Sequence, residues 1–408
     1  MVYKGYIILF AFVLLATLQA FFNKPKWGKT FGYKTFKGVV INRIHNKVYL
    51  LTEEGEIYLF YAKRRLFPQD RVKLQGTAKG TFVKPQNIEV KRGLLQRLRV
   101  KFHQTLKERF LKTAKRPFEK KLGSALLFGE NWFSRKERKK LSLIGIYHLV
   151  VISGMHYALL FSFFLIFPAR FKVRYYIALV FLAFFTFLVL FPKAPSYRAF
   201  TSFALFLASK IGERPYSPLK ALLVGYSISL LLFPHWFYSL GFWLSYLASL
   251  GLILYYRSNR TPEENFLRNF FGTLLGLEAT LVVLAVITPL IGYSFHFFSF
   301  GSFLYGWAFT VLTELFLLVG ILNVVTYWNF PPLVQAQHLL ANFFEVLFEK
   351  FPQKVYVSLS PFPFWVAVVL VVTALGILKF VKKRERKLFY LTILLLTEVL
   401  LFHYRNHL

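Results

Sequence analysis

Two histidines, a serine and a glycine stand close together in one of the most apolar stretches of the chain. The segment HLVVISGMH runs from His148 to His156, and its neighbours are mainly Leu, Ile, Val and Phe. In an unbroken helix the two imidazoles would be about 12 Å apart along the axis, too far to share one metal ion. Ser153 and Gly154 are the residues at which a break is best tolerated. The segment therefore predicts a broken helix that exposes polar groups inside an apolar environment.

The pair Ser153 and His156, three residues apart, faces one side of a helix. Three interpretations remain open for it. The pair satisfies backbone groups where helices pack at Gly154, it contacts a ligand in a pore, or it is the nucleophile and base of an intramembrane hydrolase. The G-x-S-G motif of rhomboid-type proteases is missing, because residue 151 is Val.

Other catalytic classes lack their residues. Asp70 is the only aspartate, no cysteine is present, and no H-E-x-x-H motif or complete phosphate loop exists. A carboxylate-rich metal centre, a thiol nucleophile and an ATPase motor are therefore excluded. We expect a non-enzymatic protein without a metal or other cofactor.

The composition predicts a polytopic α-helical membrane protein. Of the 408 residues, 56% are hydrophobic and 20% aromatic. Ten runs approach the length of a membrane crossing: residues 5–22, 141–167, 175–191, 198–211, 219–233, 236–256, 272–293, 302–325, 364–381 and 388–402. Pro and Gly interrupt several runs, so we expect eight to ten membrane elements, some of them broken or re-entrant. Leu18 occupies a position where a signal peptide needs a small residue, so residues 1–22 are predicted to be an uncleaved anchor.

The domain at 23–92 is predicted because the hydrophobic period changes to two from about Gly32 to Arg92, and KVYLLTEEGEIYLFYA indicates a hairpin that turns at Glu54 and Gly55. About five short strands predict a small barrel inserted after the anchor, similar to an OB-fold. Residues 23–121 carry 26 Lys and Arg against seven acids, an excess of 19 in a chain whose net charge is +34. Such a segment favours nucleic acid or anionic lipid as a partner, although a merely solvated basic face is the alternative.

An OB-like barrel binds single strands by stacking bases on aromatic side chains beside a basic groove. The candidates for stacking are Tyr49, Tyr58, Phe60 and Phe82, and those for backbone contact are Lys63, Arg64, Arg65 and Arg71. The same aromatics could instead fill the barrel core. Next, residues 93–121 place Leu94, Leu98, Phe102, Leu106 and Phe110 on one stripe, which predicts an amphipathic helix at the membrane surface.

Three acids stand inside apolar runs: Glu278, Glu314 and Glu398. Carboxylates at such positions are functional candidates, for proton coupling or for repelling anions, unless each simply pairs with a neighbouring basic side chain. Glu278 and Glu314 are the preferred candidates for a pore.

Four ordered segments resemble the ComEC-type competence proteins: LLFGE (126–130), GIYHLVVISGMHYALL (145–160), APSYRA (194–199) and FPHWFYSLGFWLSYLASLGLI (233–253). The resemblance implies that residues 122–408 form an inner-membrane channel that passes single-stranded DNA into the cytoplasm during natural transformation. It places His148, Ser153, Gly154 and His156 in the pore region, with Ser196, Arg198, Gly241 and Ser245 in partner elements. Arg198 is expected to contact phosphate, with an interfacial snorkelling arginine as the alternative.

The resemblance also implies a location in the cytoplasmic membrane, with the barrel on the extracytoplasmic side. If the barrel is outside, the basic loops that follow alternate as the positive-inside rule requires, until the sequence KFVKKRERK at 379–387. Many relatives carry a metallo-β-lactamase-like domain beyond the last span. This chain ends at Leu408 without it, so a separate nuclease, a DNA receptor and a cytoplasmic helicase are the expected partners, besides lipids. The alternatives to a channel are a Ser153/His156 hydrolase and a lipid-docked structural protein.

Overall fold

The structure, a computed structural model, describes residues 2–44, 46–62, 66–164, 172–258, 277–352 and 355–404. It joins a small β-barrel, which follows the first helix, to a large helical region. The predicted combination of helices with an inserted barrel is therefore confirmed. Lys63, Arg64 and Arg65 lie outside the described residues. Parts of the apolar runs at 141–167 and 272–293 also lie outside them, as do parts of the basic loops at 170–174 and 257–268.

Five strands form the closed barrel: β2 (Thr30–Ile44), β3 (Lys47–Thr52), β4 (Glu56–Tyr61), β5 (Arg71–Gly80) and β6 (Phe82–Lys91). The pairing order is β4, β3, β2, β5, β6, and a parallel contact between Leu59 and Phe82 closes the ring from β6 back to β4. A two-residue strand, β1 (Lys26–Trp27), runs parallel to β4. This order fits the small Greek-key barrel of an OB-like fold. The predicted hairpin is confirmed, with Gly55 at φ +77° in its turn.

The barrel core consists of the inward positions of each strand. Phe36, Tyr58 and Phe60 are its large rings, packed among aliphatic side chains such as Leu50 and Leu74. The ring of Tyr58 packs directly against the backbone of Gly28, the residue that follows β1. A Cβ on Gly28 would lie only 2.1 Å from that ring. Only glycine permits the chain to pass there.

Asp70, the only aspartate, fastens the barrel to the helices. Its buried carboxylate accepts hydrogen bonds from Nε and Nη2 of Arg92 at 2.8 and 2.6 Å and from the backbone N–H of Phe67 at 2.9 Å. Gln96 of the following helix donates to the same carboxylate at 3.1 Å. Because the carboxylate receives several charge-assisted or backbone hydrogen bonds, its burial is compensated.

Two helices lead away from the barrel, α2 (Leu94–Thr113) and α3 (Pro117–Leu126), and the break between them precedes Pro117. The face of α2 that packs inward is polar: Arg99, His103 and Lys107 are buried with Phe110. Arg99 donates to the carbonyl of Leu190 at 3.1 Å. The apolar stripe predicted for this helix therefore divides. Leu94, Leu98 and Phe102 are exposed, whereas Phe110 enters the core.

The other helices build the helical region around several apolar clusters. They are α1 (Val2–Phe22), α4 (Arg135–Leu143), α5 (Gly154–Phe164), α6 (Val173–Phe184), α7 (Ala194–Ile211), α8 (Pro218–Leu232), α9 (Leu240–Ser258), α10 (Leu277–Phe295), α11 (Gly301–Leu304), α12 (Gly306–Val325), α13 (Pro331–Lys350), α14 (Phe364–Phe380) and α15 (Arg384–Tyr404). Short 3₁₀ turns span Tyr147–Val150 and Pro234–Tyr238, one π turn spans Phe185–Val189, and strands β7 (Phe297–Ser299) and β8 (Tyr356–Ser358) pair antiparallel.

The run at 141–167 is not one span. Helix α4 ends at Leu143, the 3₁₀ turn Tyr147–Val150 follows, and α5 starts only at Gly154. The break predicted at Ser153 and Gly154 is therefore confirmed. By length and composition, two helical stretches of the described chain are long and apolar enough to cross a membrane, Glu278–Phe295 and Gly306–Val325. Shorter apolar helices are Ile8–Phe22, Gly154–Phe164, Val173–Val189, Pro218–Leu232 and Phe364–Phe380.

Candidate functional site

The three segments singled out in the helical region meet at one arginine. Arg198, on the second turn of α7, donates from Nε to Oγ of Ser245 on α9 at 2.8 Å. On its other side lies the start of α5, where a Cβ on Gly154 would come within 3.2 Å of Nη2 of Arg198. Glycine at 154 thus lets the guanidinium approach the helix start closely. The structure therefore brings together Gly154, Arg198 and Ser245, which come from three different motifs.

The charge of Arg198 is not compensated within the described part of the chain. No carboxylate there forms a salt bridge with it, and its only hydrogen bond is the one to Ser245. The aromatic residues Tyr157, Tyr216 and Tyr246 lie close enough to interact with it electrostatically. A half-buried guanidinium without a counter-ion is costly, so the arrangement favours an anionic ligand.

The pair Ser153 and His156 has the geometry of a helix cap. The backbone N–H of Ser153 donates to Nδ1 of His156 at 2.9 Å, and Oγ of Ser153 lies 3.1 Å from the same nitrogen. In a capping box, the third residue of a helix returns a side-chain hydrogen bond to the N-cap backbone, usually from Glu or Gln. His156 takes that role at the start of α5. The cap also fixes the imidazole, since Nδ1 accepts a hydrogen bond and a neutral ring must carry its proton on Nε2.

Glu314 of α12 lies behind this histidine. Its Oε1 is 3.8 Å from Nε2 of His156, beyond hydrogen-bond distance. Neither this nitrogen nor the two carboxylate oxygens have a hydrogen-bond partner among the described residues. Ser153 is therefore within hydrogen-bond distance of His156, whereas His156 and Glu314 are close but not hydrogen-bonded to each other.

His148 is exposed, and it lies close enough to His156 for the two rings to interact electrostatically. The remaining predicted residues of these motifs lie apart from Arg198. Ser196 is buried two positions earlier on α7, about 200° round the helix, and Gly241 is exposed near Ser239.

Two of the three predicted intramembrane acids lie in other clusters. Glu278, in the first turn of α10, accepts hydrogen bonds from Nη2 of Arg384 at 2.5 Å and from the hydroxyl of Tyr255 at 2.6 Å. The pairing with a neighbouring arginine is the alternative raised by the sequence. Glu398 is buried on α15, without a hydrogen-bond partner among the described residues. Glu314 alone of the three stands beside the histidine segment.

The barrel corrects two predicted stacking residues. Tyr58 is 1% exposed and Phe60 0% exposed, and both rings point into the core. The prediction that these rings stack on bases is wrong. The reason is the register of the hairpin, which sets Tyr58 opposite Leu50 and Phe60 opposite Val48, all of them inward positions. The hydroxyl of Tyr58 is held by Glu56 and Thr30 at 2.6 Å each.

The outward face of the barrel carries a different set of rings. Tyr49, Leu59 and Phe82 occupy one row across β3, β4 and β6, and Tyr61 stands beside Phe82 with the ring centroids 5.5 Å apart. The row extends further because Phe82 pairs with Lys79 of β5, and Lys79 pairs in turn with Phe31 of β2. Residues paired directly across strands share a face.

Tyr61 is 57% exposed and Phe31 78% exposed, and Trp27 and Tyr33 add further exposed rings. These four were missed in the sequence. The parity of the hairpin at Gly55 would have identified Tyr61, since it pairs with the outward residue Lys47. Among the basic residues, Arg71 is exposed at the start of β5. In the described ranges, no three His, Cys, Asp or Glu side chains approach closely enough to hold a metal ion.

The comparison with protein-family models identifies one family. The sequence model of the family described as competence protein matches residues 126–385. The chain is similar to an uncharacterized protein of Aquifex aeolicus (strain VF5), with 29% identity over 336 residues that cover 76% of each chain. No solved structure matches it. The matched region contains all the segments that meet at Arg198 and covers more than half of the sequence, and the chain therefore belongs to the competence protein family.

Proposed function

We propose that this protein is a polytopic channel that carries single-stranded DNA across the cytoplasmic membrane during DNA uptake. The family assignment supports a role in competence and DNA as the partner. The observation that carries the proposal is the uncompensated guanidinium of Arg198, placed where three motif segments converge. A phosphodiester has the charge and the acceptor oxygens that such a group lacks.

Membrane embedding is supported by the side chains on the helix surfaces. Besides the two long apolar helices, α14 exposes Trp365, Val369 and Val372, and α15 exposes Leu400 and Leu401. Contiguous apolar surface of this kind needs an apolar environment. A chain that packs its helices in a lipid bilayer satisfies that requirement, and small residues such as Ala16 and Ala20 of α1 are fully buried where that helix packs on its neighbours.

The barrel is proposed to receive the strand outside the membrane. Its outward row offers the rings of half-buried Tyr49 and exposed Phe82 for bases, with the exposed ring of Tyr61 beside them, and Lys47 and Lys79 stand in or beside the row. Aromatic stacking on a basic surface is sequence-tolerant, as uptake of unselected DNA requires. On this proposal a separate nuclease, a DNA receptor and a cytoplasmic helicase act before and after the channel.

Transport tests the role of Arg198. Proteoliposomes containing the full chain should protect a labelled single-stranded oligonucleotide from external nuclease in a time-dependent manner. Arg198→Gln should reduce the protected DNA about tenfold, because a charge-assisted contact is lost. Arg198→Lys should retain part of it. The matched control is Arg214→Gln, an exposed arginine after α7. Equal protection by wild type and Arg198→Gln would remove the basis of the proposal.

An intramembrane serine hydrolase is the second candidate, because Oγ of Ser153 is 3.1 Å from an imidazole nitrogen with Glu314 behind it. The two functions differ in what Ser153→Ala does. A hydrolase loses all turnover, whereas a channel loses only part of its transport and the capping hydrogen bond from the Ser153 backbone survives. Covalent labelling of Ser153 by a fluorophosphonate, abolished by His156→Gln, would favour the hydrolase.

A further inference from the structure

A polar cavity of about 490 Å³ lies at the junction between the barrel and the helices. The turn between β2 and β3 contributes one wall, α2 a second, and the segment that follows α3 a third. Lys193, the residue immediately before α7, and Tyr147 close it on the side of the helical region. The volume lies in the range of about 300–1,000 Å³ that is usual for ligand sites.

Positive charge dominates the lining. Four basic side chains, Arg43, Lys107, Arg138 and Lys193, face a single carboxylate, that of Glu130. Each basic residue comes from a different part of the chain, so the cavity exists only because the barrel, α2, α4 and α7 are packed together.

The carboxylate is already engaged. His103 lies 2.7 Å from Oε1 of Glu130, Lys107 forms an ion pair with it, and the indole N–H of Trp132 donates to Oε2 at 2.9 Å. Burial by itself would raise the pKa of Glu130, but the hydrogen bonds and charges of His103 and Lys107 hold it well below its ordinary value. The acid is therefore ionised and satisfied by Lys107 and its neighbours, and among the described residues it forms no ion pair with Arg138 or Lys193.

Two of the cavity's cations carry donors without a hydrogen-bond partner among the described residues. The ammonium of half-buried Lys193 makes no hydrogen bond or ion pair with any residue that the structure describes. Nε of Arg138 is buried, again with no hydrogen-bond partner in the described ranges. Buried donors that stay unsatisfied cost free energy. An anion in the cavity would satisfy both.

We propose that this junction cavity binds one nucleotide unit of the single strand, with its phosphodiester on Lys193 and Arg138. The inference rests on the proposed function and adds a site to it. Aromatic side chains complete the lining, among them Trp132 and Tyr147, so a base as well as a phosphate finds complementary surface. The glutamate of the LLFGE segment is then a positioning residue, since it orients Lys107 and Trp132 at the wall.

The cavity is placed between the barrel and the site around Arg198. Arg43 and Asn46 belong to the barrel, and Lys193 stands five residues before Arg198, about 7.5 Å along the axis of α7. Tyr147, which also lines the cavity, directly precedes His148. A strand that leaves the barrel at the β2–β3 turn therefore meets the cavity before the helix break.

Equilibrium binding to a labelled oligothymidylate tests the two cations in the full chain in detergent micelles. Lys193→Gln and Arg138→Gln should each weaken binding about tenfold, whereas the control Arg214→Gln should not change it by more than about twofold. Lys193→Arg should bind with the wild-type affinity. That result would show that Lys193→Gln weakens binding through the lost charge and not through misfolding. Wild-type affinity in Lys193→Gln and Arg138→Gln would overturn the site.

A pH series gives an independent readout. Burial lowers the pKa of Lys193 to about 8, against the opposing influence of Glu130. As the pH rises from 7 to 9 the ammonium loses its proton, so affinity should fall. Phosphodiesters do not titrate there, the guanidinium groups of Arg43 and Arg138 stay charged, and burial raises the pKa of Tyr147. Lys193→Arg should remove the decline. A decline that survives this change would contradict the assignment to Lys193.

Occupancy can be read directly because the chain has no cysteine. Asn46→Cys places a thiol on the cavity wall without changing its charge, and Thr105→Cys is the exposed control on α2. Oligothymidylate should slow thiol modification at position 46 and not at 105. Protection by phosphatidylglycerol vesicles without DNA would instead identify a lipid headgroup and overturn the proposal. If position 46 is unprotected while Arg198→Gln still reduces transport, the cavity proposal fails and the channel function stands.

Discussion

At the scale of single residues, the position of Ser153 and His156 shows how one geometry serves two interpretations. A serine hydroxyl 3.1 Å from an imidazole nitrogen is the arrangement of an activated nucleophile. The same nitrogen, however, accepts the backbone N–H that opens helix α5. The cap explains why a histidine follows the break by three residues, and it holds the ring in place whether or not chemistry occurs.

The exposed aromatic residues of the barrel give a prediction at this scale. Tyr61→Ala should weaken binding of a single-stranded oligonucleotide by about 1–3 kcal/mol, because one ring of the row beside Phe82 is lost. Tyr390→Ala, which removes a similarly exposed ring from α15, should leave the affinity unchanged. Fluorescence anisotropy with the full chain measures both. Equal effects of the two changes would show that the row is not a binding surface.

At the scale of elements, helix α2 buries its polar face and exposes its apolar face, the reverse of a helix in a water-soluble protein. Its inward face carries Arg99, His103 and Lys107, which bind carbonyl and carboxylate groups of the barrel junction, whereas Leu94, Leu95 and other apolar side chains point outward. Exposing this apolar side to water would cost free energy. We propose that this side contacts lipid, and the membrane-surface location predicted for this segment stays a prediction.

Spin labels test the orientation of α2. Leu95→Cys should give a label that collides more with oxygen, which concentrates in lipid, than with a water-soluble nickel chelate. Glu108→Cys, at an exposed position about 140° round the helix from Leu95, should give the reverse ratio. Electron paramagnetic resonance of the full chain in liposomes measures both accessibilities. Similar ratios at the two positions would mean that α2 does not lie on the membrane.

At the scale of the whole molecule, charge and architecture are divided unevenly. Residues 23–121 carry an excess of 19 positive charges in a chain of net charge +34. The segment from the barrel through α2 to the start of α3 thus holds more than half of the excess in a quarter of the chain. If the excess were only a solvated basic face, any basic residue would contribute equally to DNA binding.

The salt dependence of binding distinguishes a local path from a general basic surface. The logarithm of the affinity for a single strand falls with the logarithm of the salt concentration by about 0.7 per phosphate contacted. Arg71→Gln, at the start of β5, should reduce this slope by about that amount. Lys382→Gln, an equally exposed cation between α14 and α15, should leave it unchanged. If both variants lower the slope alike, the binding is non-specific.

The sequence by itself determined the local features of this protein. Alternating residues and the turn at Gly55 predicted the barrel hairpin, and the Ser153 and Gly154 pair predicted the helix break, because strand period, positive φ and helix breaking depend on neighbours in the chain. The ordered motifs also led to the family. Tyr58 and Phe60 do not have the predicted stacking role, because the hairpin register turns both rings into the barrel core.

Only the tertiary structure decided which distant residues meet. Nothing in the sequence pairs Arg198 with Ser245, or joins Arg43, Arg138 and Lys193 around one cavity, because such contacts arise from the packing of whole elements and leave no periodic signal in the chain. The polar face of α2 has the same cause. The buried His103 and Lys107 are stable only beside Glu130, which lies in a different segment. The hydrophobic pattern of α2 alone therefore does not predict that its polar face is buried.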